Sequence, residues 1–143
     1  MAQAHDGGCL CGAVRYRIDS IFDVVYCHCT ICRKTSGGPV FLAVIVQAPD
    51  FHLLKGELAQ YRSSNGGRRG FCSRCGSQIS FTAPDWPYVS ISHGSLDAPE
   101  HVLPRIHQWT QSALSWFKIA DDLPRVPDGQ LPHPDLRQPG PEP

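Results

Sequence analysis

The chain has 143 residues, 41% of them apolar, with 13 basic and 13 acidic side chains and no formal net charge. That length suits one domain, and the balanced charge argues against nucleic acid as a partner, since such binding normally leaves a basic excess. No apolar run approaches the roughly 20 residues of a membrane-crossing helix, so a soluble protein without a membrane partner is expected.

Thirteen glycines and thirteen prolines predict many turns and short strands rather than long helices. Met1 to Gly8 is polar and holds no apolar core, so no secretory leader is expected there. From Ala13 to Ile18 the pattern alternates, with Val14, Tyr16 and Ile18 on one face and Arg15 and Arg17 on the other, which predicts a half-buried strand. Phe22, Val24 and Tyr26 alternate again and lead into a cysteine triplet. Thr30 to Ser36 predicts a helical turn that Gly37 ends in the left-handed region. The continuous apolar run Val40 to Val46 predicts a strand buried on both faces. Phe51 to Leu54 and Leu58 to Tyr61 read as short strands joined at Lys55-Gly56-Glu57, and Ser63 to Gly67 as a turn or mobile loop. Arg68 to Phe71 runs into a second cysteine pair, followed by Gly76. Gln78 to Thr82 and Tyr88 to His93 are further strands, with Val89, Ile91 and His93 on one face. Ile106 to Trp109 and Ala113 to Phe117 are weaker candidates. The stretch 127–143 holds six of the thirteen prolines and little apolar material, so it reads as a Pro-rich disordered tail behind a domain of residues 1–126.

All seven cysteines fall in three clusters: Cys9 and Cys11; Cys27, Cys29 and Cys32; Cys72 and Cys75. An odd count leaves one thiol over in any disulfide scheme, and Cys-x-Cys neighbours are badly placed to bond each other. The grouping is metal-ligand spacing, which fits thiols kept in a reducing, cytoplasmic compartment. Two pairs supply four thiolates, enough to close a tetrahedral zinc site. A triplet supplies three and leaves one coordination position open. The sequence therefore offers one structural metal and one that could do chemistry. The expected architecture is mainly β, of short strands with two metal clips at turns.

The segments GGCLCGAVRY (7–16), CHCTICRKTSG (27–37), FCSRCGS (71–77) and HGSLDAP (93–99), with a looser match at WTQSALSWFKIADDLPRV, resemble the glutathione-dependent formaldehyde-activating enzyme family, also called the centromere protein V/GFA domain. The resemblance spans about Gly7 to Pro124. It implies an Mss4-like fold of short, curled antiparallel sheets with zinc knuckles. It also implies two zinc ions per chain: a structural one on Cys9, Cys11, Cys72 and Cys75, and a reactive one on Cys27, Cys29 and Cys32. The implied activity is that of a carbon–sulfur lyase which reversibly joins glutathione to formaldehyde as S-hydroxymethylglutathione.

Charge arithmetic adds a mechanism. Zinc with three thiolates is a weaker Lewis acid than zinc with three imidazoles, yet well suited to a soft sulfur ligand. A substrate thiol in the open position is the expected chemistry, with Cys27, Cys29 and Cys32 as the catalytic set and proximity as the main contribution. The alternatives are a thiol or aldehyde carrier without turnover, an interaction module, or a redox sensor built on the triplet.

Other residues carry two readings each. His28, between two ligands, is either a proton carrier or alternative ligand, or a side chain turned away from the metal by alternation. His93 and His107 line a pocket or are satisfied structural histidines. Arg33 and Lys34, and likewise Arg68, Arg69 and Arg74, receive a substrate carboxylate or lie solvated at the surface. Trp86, Trp109 and Trp116 wall a cleft or pack as core or lid. In each case the second reading is the ordinary one.

Overall fold

A computed structural model describes residues 3–63 and 66–129. Among them are ten strands: β1 (His5–Gly8), β2 (Arg15–Ile18), β3 (Asp23–Cys27), β4 (Phe41–Gln47), β5 (Phe51–Lys55), β6 (Ala59–Arg62), β7 (Arg68–Phe71), β8 (Gln78–Thr82), β9 (Tyr88–Ser92) and β10 (Ile106–Gln108). One seven-residue helix, α1 (Thr30–Ser36), lies between β3 and β4. The mainly β class holds, and among the described residues no helix is long and apolar enough to cross a membrane.

The strands form two sheets. A three-stranded sheet has the order β1-β2-β5, and a seven-stranded sheet the order β10-β3-β4-β9-β8-β7-β6. Every pair is antiparallel except β10, which runs parallel to β3. Lys55-Gly56-Glu57 therefore does not close a hairpin: β5 pairs with β2, whereas β6 pairs with β7 in the other sheet. Ala113 to Phe117 forms no strand, and β1 was not evident from the sequence.

The large sheet is covered on both faces, and its period of two sorts the core. Val24, Val44, Val46, Ile79, Val89 and Ile91 point to one cluster, shared with Val14, Tyr16 and Ile18 of the small sheet and its approach. Val25, Cys27, Ala43, Ile45, Phe81 and Ile106 point to the other. This two-sided burial explains the unbroken apolar run in β4. It also explains why the expected alternation fails in β3, where Val25 and Cys27 are as buried as Val24.

The same sorting separates the cysteines. Cys9 and Cys72 belong to the first cluster, and Cys27, Cys29 and Cys32 to the second. The expected tail falls mostly outside the described residues. Of its first three residues, Pro127 and Asp128 accept hydrogen bonds from the Gln111 and Trp109 amides at 3.4 and 3.0 Å. Gly129 lies against the Trp109 indole, where a Cβ would come within 2.8 Å.

Candidate metal centres

All seven thiols are free of disulfides. They gather into two sets, Cys9, Cys11, Cys72 and Cys75 in one and Cys27, Cys29 and Cys32 in the other, with the sulfurs of each set within 4.8 Å of one another.

The quartet is built from two similar turns. Each pair is followed by a glycine in the left-handed region, Gly12 at φ 79° and Gly76 at φ 78°, a conformation that costs glycine little. The Gly12 and Gly76 amides close the turns on the carbonyls of Cys9 and Cys72 at 3.2 and 2.8 Å. Backbone N–H groups then face sulfur: Val14 donates to Cys9 Sγ at 3.2 Å. Ser77 ties the turns together, accepting from the Leu10 amide at 3.0 Å while its hydroxyl lies 3.2 Å from Cys75 Sγ. That hydroxyl contact, with backbone amides, lowers the Cys75 thiol to about 5. Cys9 and Cys11 sulfurs are 3.6 Å apart, and Cys11 and Cys72 sulfurs 3.8 Å. Bonds of ~2.3 Å to a central zinc in tetrahedral array would set sulfurs about 3.8 Å apart, so the four donors fit such an ion.

The trio is local. Cys27 ends β3, Cys29 caps the N-terminus of α1, and Cys32 lies in its first turn. The Cys32 amide donates to Cys29 Sγ at 3.1 Å. Contacts with Cys27 and Cys32 pull the Cys29 thiol down to about 3, helped by that amide and by Arg69. Cys29 in turn pushes Cys27 well up, as do Cys32 and burial. One shared negative charge, held by two S–H donors, is the metal-free state these directions describe. A divalent ion would let all three ionise. Cys27, Cys29 and Cys32 are 1%, 2% and 8% exposed, and among the described residues no histidine or carboxylate joins them within ligand distance. Three soft sulfurs without a fourth protein donor fit a metal whose remaining position takes another ligand.

Around the trio the ordinary readings hold except in two places. His28 turns to His107, with His28 Nε2 2.8 Å from His107 Nδ1, and His107 Nε2 lies 3.0 Å from the Asp121 carboxylate. A carboxylate only accepts, so His107 Nε2 carries a hydrogen, and a neutral His107 accepts from His28 Nε2–H. Burial, with His107 and Arg125, depresses His28 below the usual imidazole range. Both rings are held in this arrangement and also line a cavity of about 300 Å³ with Phe117 and Arg125, while His28 Nδ1 is buried without a partner; Asp121 was not singled out from the sequence. His93 is satisfied, donating to the Val102 carbonyl at 2.7 Å. Arg33 and Lys34 lie in the last turn of α1, half-buried and exposed respectively, and Arg68 and Arg74 are exposed.

Arg69 is the first exception. It is 6% exposed, its guanidinium sits 4.8 Å over the Phe81 ring, and Nη2 reaches within 3.8 Å of Cys32 Sγ. The sequence reading placed it at the surface with Arg68 and Arg74, but strand alternation turns it inward. Trp116 is the second: it is 73% exposed, neither core nor cleft wall, whereas Trp86 and Trp109 pack in the trio's cluster.

Comparisons with known proteins agree with this picture. The family model for the glutathione-dependent formaldehyde-activating enzyme matches residues 4–112. A Halomonas elongata protein, named provisionally as a glutathione-dependent formaldehyde-activating enzyme, is 32% identical over 129 aligned residues that cover 80% of each chain. A crystal structure of a Rhodobacter sphaeroides protein superposes with a TM-score of 0.58 at 18% identity, covering 85% of this chain and 99% of that one; at that identity it speaks to the fold alone. Both cysteine sets and all ten strands lie inside the matched span, and the chain belongs to the glutathione-dependent formaldehyde-activating enzyme family.

Proposed function

We propose that the protein is a zinc-dependent carbon–sulfur lyase that reversibly joins a small thiol, such as glutathione, to an aldehyde, such as formaldehyde. Two zinc ions per chain complete the reading, a structural one on Cys9, Cys11, Cys72 and Cys75 and a reactive one on Cys27, Cys29 and Cys32. The observation that carries it is the division of seven sulfurs into a set of four and a buried set of three without a fourth protein donor among the described residues. Zinc on the three would supply a soft, weakly Lewis-acidic position at which a thiol binds and gives up its proton.

The chain's own residues supply the rest. The α1 cap amide holds Cys29 in place, and Arg69 sets a positive charge against the cluster's negative one. The Phe41, Phe81 and Trp86 side chains wall the site from water, which strengthens each electrostatic contact inside it. A cavity of about 470 Å³ opens against the quartet's turns at Cys9, Leu10 and Ser77 and extends to Ser36 of α1 and to Phe41, the register partner of Cys27. Gln78 Oε1 and Ser92 Oγ in its wall are buried without partners. Such acceptors suit the amide N–H groups of a short peptide, which favours a peptide thiol over a bare alkyl one.

The test is exchange between glutathione and formaldehyde, followed by NMR with and without the zinc-loaded protein and its Cys29→Ser variant. Acceleration that the variant lacks is expected. Stoichiometric binding without faster exchange would make the protein a carrier, and loss of the trio's zinc under mild peroxide with recovery on reduction would make it a sensor.

A further inference from the structure

Gln108 ends β10, and its register partner across the parallel pair is Cys27. Partners in register stand on the same face of a sheet, so the Gln108 side chain shares the trio's face. Its backbone carbonyl is fixed by the His28 amide at 3.0 Å. The residue is 0% exposed, yet neither its amide nitrogen nor its amide oxygen has a hydrogen-bond partner. A fully buried amide with both ends unpaired is among the costliest arrangements a core can hold. Three further orphans lie in the same region: Nε of Arg69, whose Nη2 already faces Cys32, and Nε1 of Trp86 and of Trp109, which pack in the trio's cluster. Gln108, Arg69, Trp86 and Trp109 thus place unpaired polar atoms among the residues packed around the three sulfurs, whereas Gln78 Oε1 and Ser92 Oγ belong to the cavity described above.

Their chemistry selects a ligand. Arg69 Nε and Trp86 Nε1 only donate, whereas Gln108 offers a donor and an acceptor side by side. A thiol's sulfur would satisfy neither end of the amide well, and a carbonyl oxygen would use the donor alone. A hydroxyl oxygen uses both, accepting from Gln108 Nε2–H while its hydrogen goes to Gln108 Oε1.

We propose that Gln108, with Arg69 Nε–H as a second donor, recognises the hydroxyl on the carbon that bears the substrate sulfur, so that the preferred ligand is the thiol–aldehyde adduct rather than the thiol. This rests on the thiol–aldehyde reading above. In the joining direction a sulfur electron pair forms the C–S bond and the C=O π pair moves to oxygen. That oxygen takes one proton from water, equal to the one the thiol released. In cleavage the O–H hydrogen, held by Gln108 Oε1, leaves to water as the C=O bond reforms and the C–S pair returns to sulfur. Gln108 is thus a specificity-determining residue that holds the oxygen whose charge changes.

The test uses the zinc-loaded protein and Gln108→Met, which keeps the volume and removes both polar ends. Zinc content, melting temperature and calorimetric affinity are measured for glutathione alone and for glutathione pre-equilibrated with formaldehyde. Wild type is expected to bind the adduct about tenfold tighter than the thiol. The variant should keep its zinc, bind the thiol within twofold of wild type, lose the preference for the adduct, and melt no lower without ligand. A wild type that binds the thiol but prefers no adduct overturns the assignment without any variant. So does a Gln108→Met protein that keeps the preference, or one that loses zinc or thiol affinity. A wild type that binds neither ligand removes the proposed function itself, and this inference with it. Should Gln108→Met not fold, Gln108→Leu serves in its place.

Discussion

Arg69 is a buried cation whose counter-charge is the trio, and this makes a quantitative prediction. Among the described residues it pairs with no carboxylate, and its nearest anionic candidate is Cys32 Sγ at 3.8 Å. Three thiolates and a divalent ion leave one net negative charge. Two unit charges at 3.8 Å in an effective dielectric of ~20 attract by about 4 kcal/mol. The negative charge is spread over three sulfurs, of which Cys32 is nearest, so roughly half of that, ~2 kcal/mol, should be lost in Arg69→Met. At 1.4 kcal/mol per decade this is roughly thirtyfold in metal affinity at the trio. The quartet lies in the other core cluster and should not change. The assay is dialysis of zinc-loaded wild type, Arg69→Met and Arg69→Lys against stepped chelator, with zinc counted by atomic emission. Arg69→Met should release one of its two ions at about thirtyfold lower chelator and hold the other as wild type does. Arg69→Lys keeps the charge without the planar fork and should fall between. Release of both ions at the wild-type positions would refute the charge argument, and so would early release from the quartet.

Three further outcomes follow from the same geometry. Cys29→Ser should retain one zinc and melt within a few degrees of wild type, whereas Cys72→Ser, which breaks the quartet at a residue 1% exposed, should lose on the order of 5 kcal/mol or more and populate unfolded chains in a denaturant titration. Gly7→Ala should cost about 1–3 kcal/mol by chemical denaturation, because the new Cβ would overlap the Tyr16 phenol and the Ser95 carbonyl. The Arg15 guanidinium beside Asp97 holds that carboxyl below the usual range; a depressed carboxyl stabilises above its unfolded pKa, so the small deficit of Asp97→Asn, at most about 1 kcal/mol for an exposed pair, should be present at pH 7 and vanish as pH falls through the folded value below 3.8.

Most of the scaffold was legible because its signals are local. The alternation of Val14, Tyr16 and Ile18, the run in β4, the Gly37 stop and the cysteine turns each depend on a few neighbouring residues. What was missed depends on pairing across the chain. β1 is a polar edge whose sequence mark is the pair Gly7 and Gly8, there so that the Tyr16 ring and the Val14 carbonyl can approach. Arg69 reads like its neighbour Arg68 until β7 is set between β6 and β8, which decides that Arg69 faces Phe81 and Arg68 faces solvent. Gln108 has no motif at all; only the parallel register of β10 on β3 brings it beside Cys27. Of these two side chains, the sequence offered Arg69 without its burial and did not offer Gln108 at all.

The two cysteine sets also differ in what a metal would do for the fold. The quartet joins the turn after β1 to the turn between β7 and β8, closing a loop of 61 residues between Cys11 and Cys72 and clamping the small sheet to the large one. Closing so long a loop removes much freedom from the unfolded chain, so an ion there stabilises the structure. Cys27, Cys29 and Cys32 lie within six consecutive residues, and β3 and α1 already fix them through backbone bonds. An ion on these three closes almost no loop and gives little back to folding. Three buried thiols whose ionisation burial opposes, a buried guanidinium with no carboxylate partner among the described residues and an unpaired amide are together a net burden on stability. Such a cluster persists in a small β protein only if it is kept for what it binds.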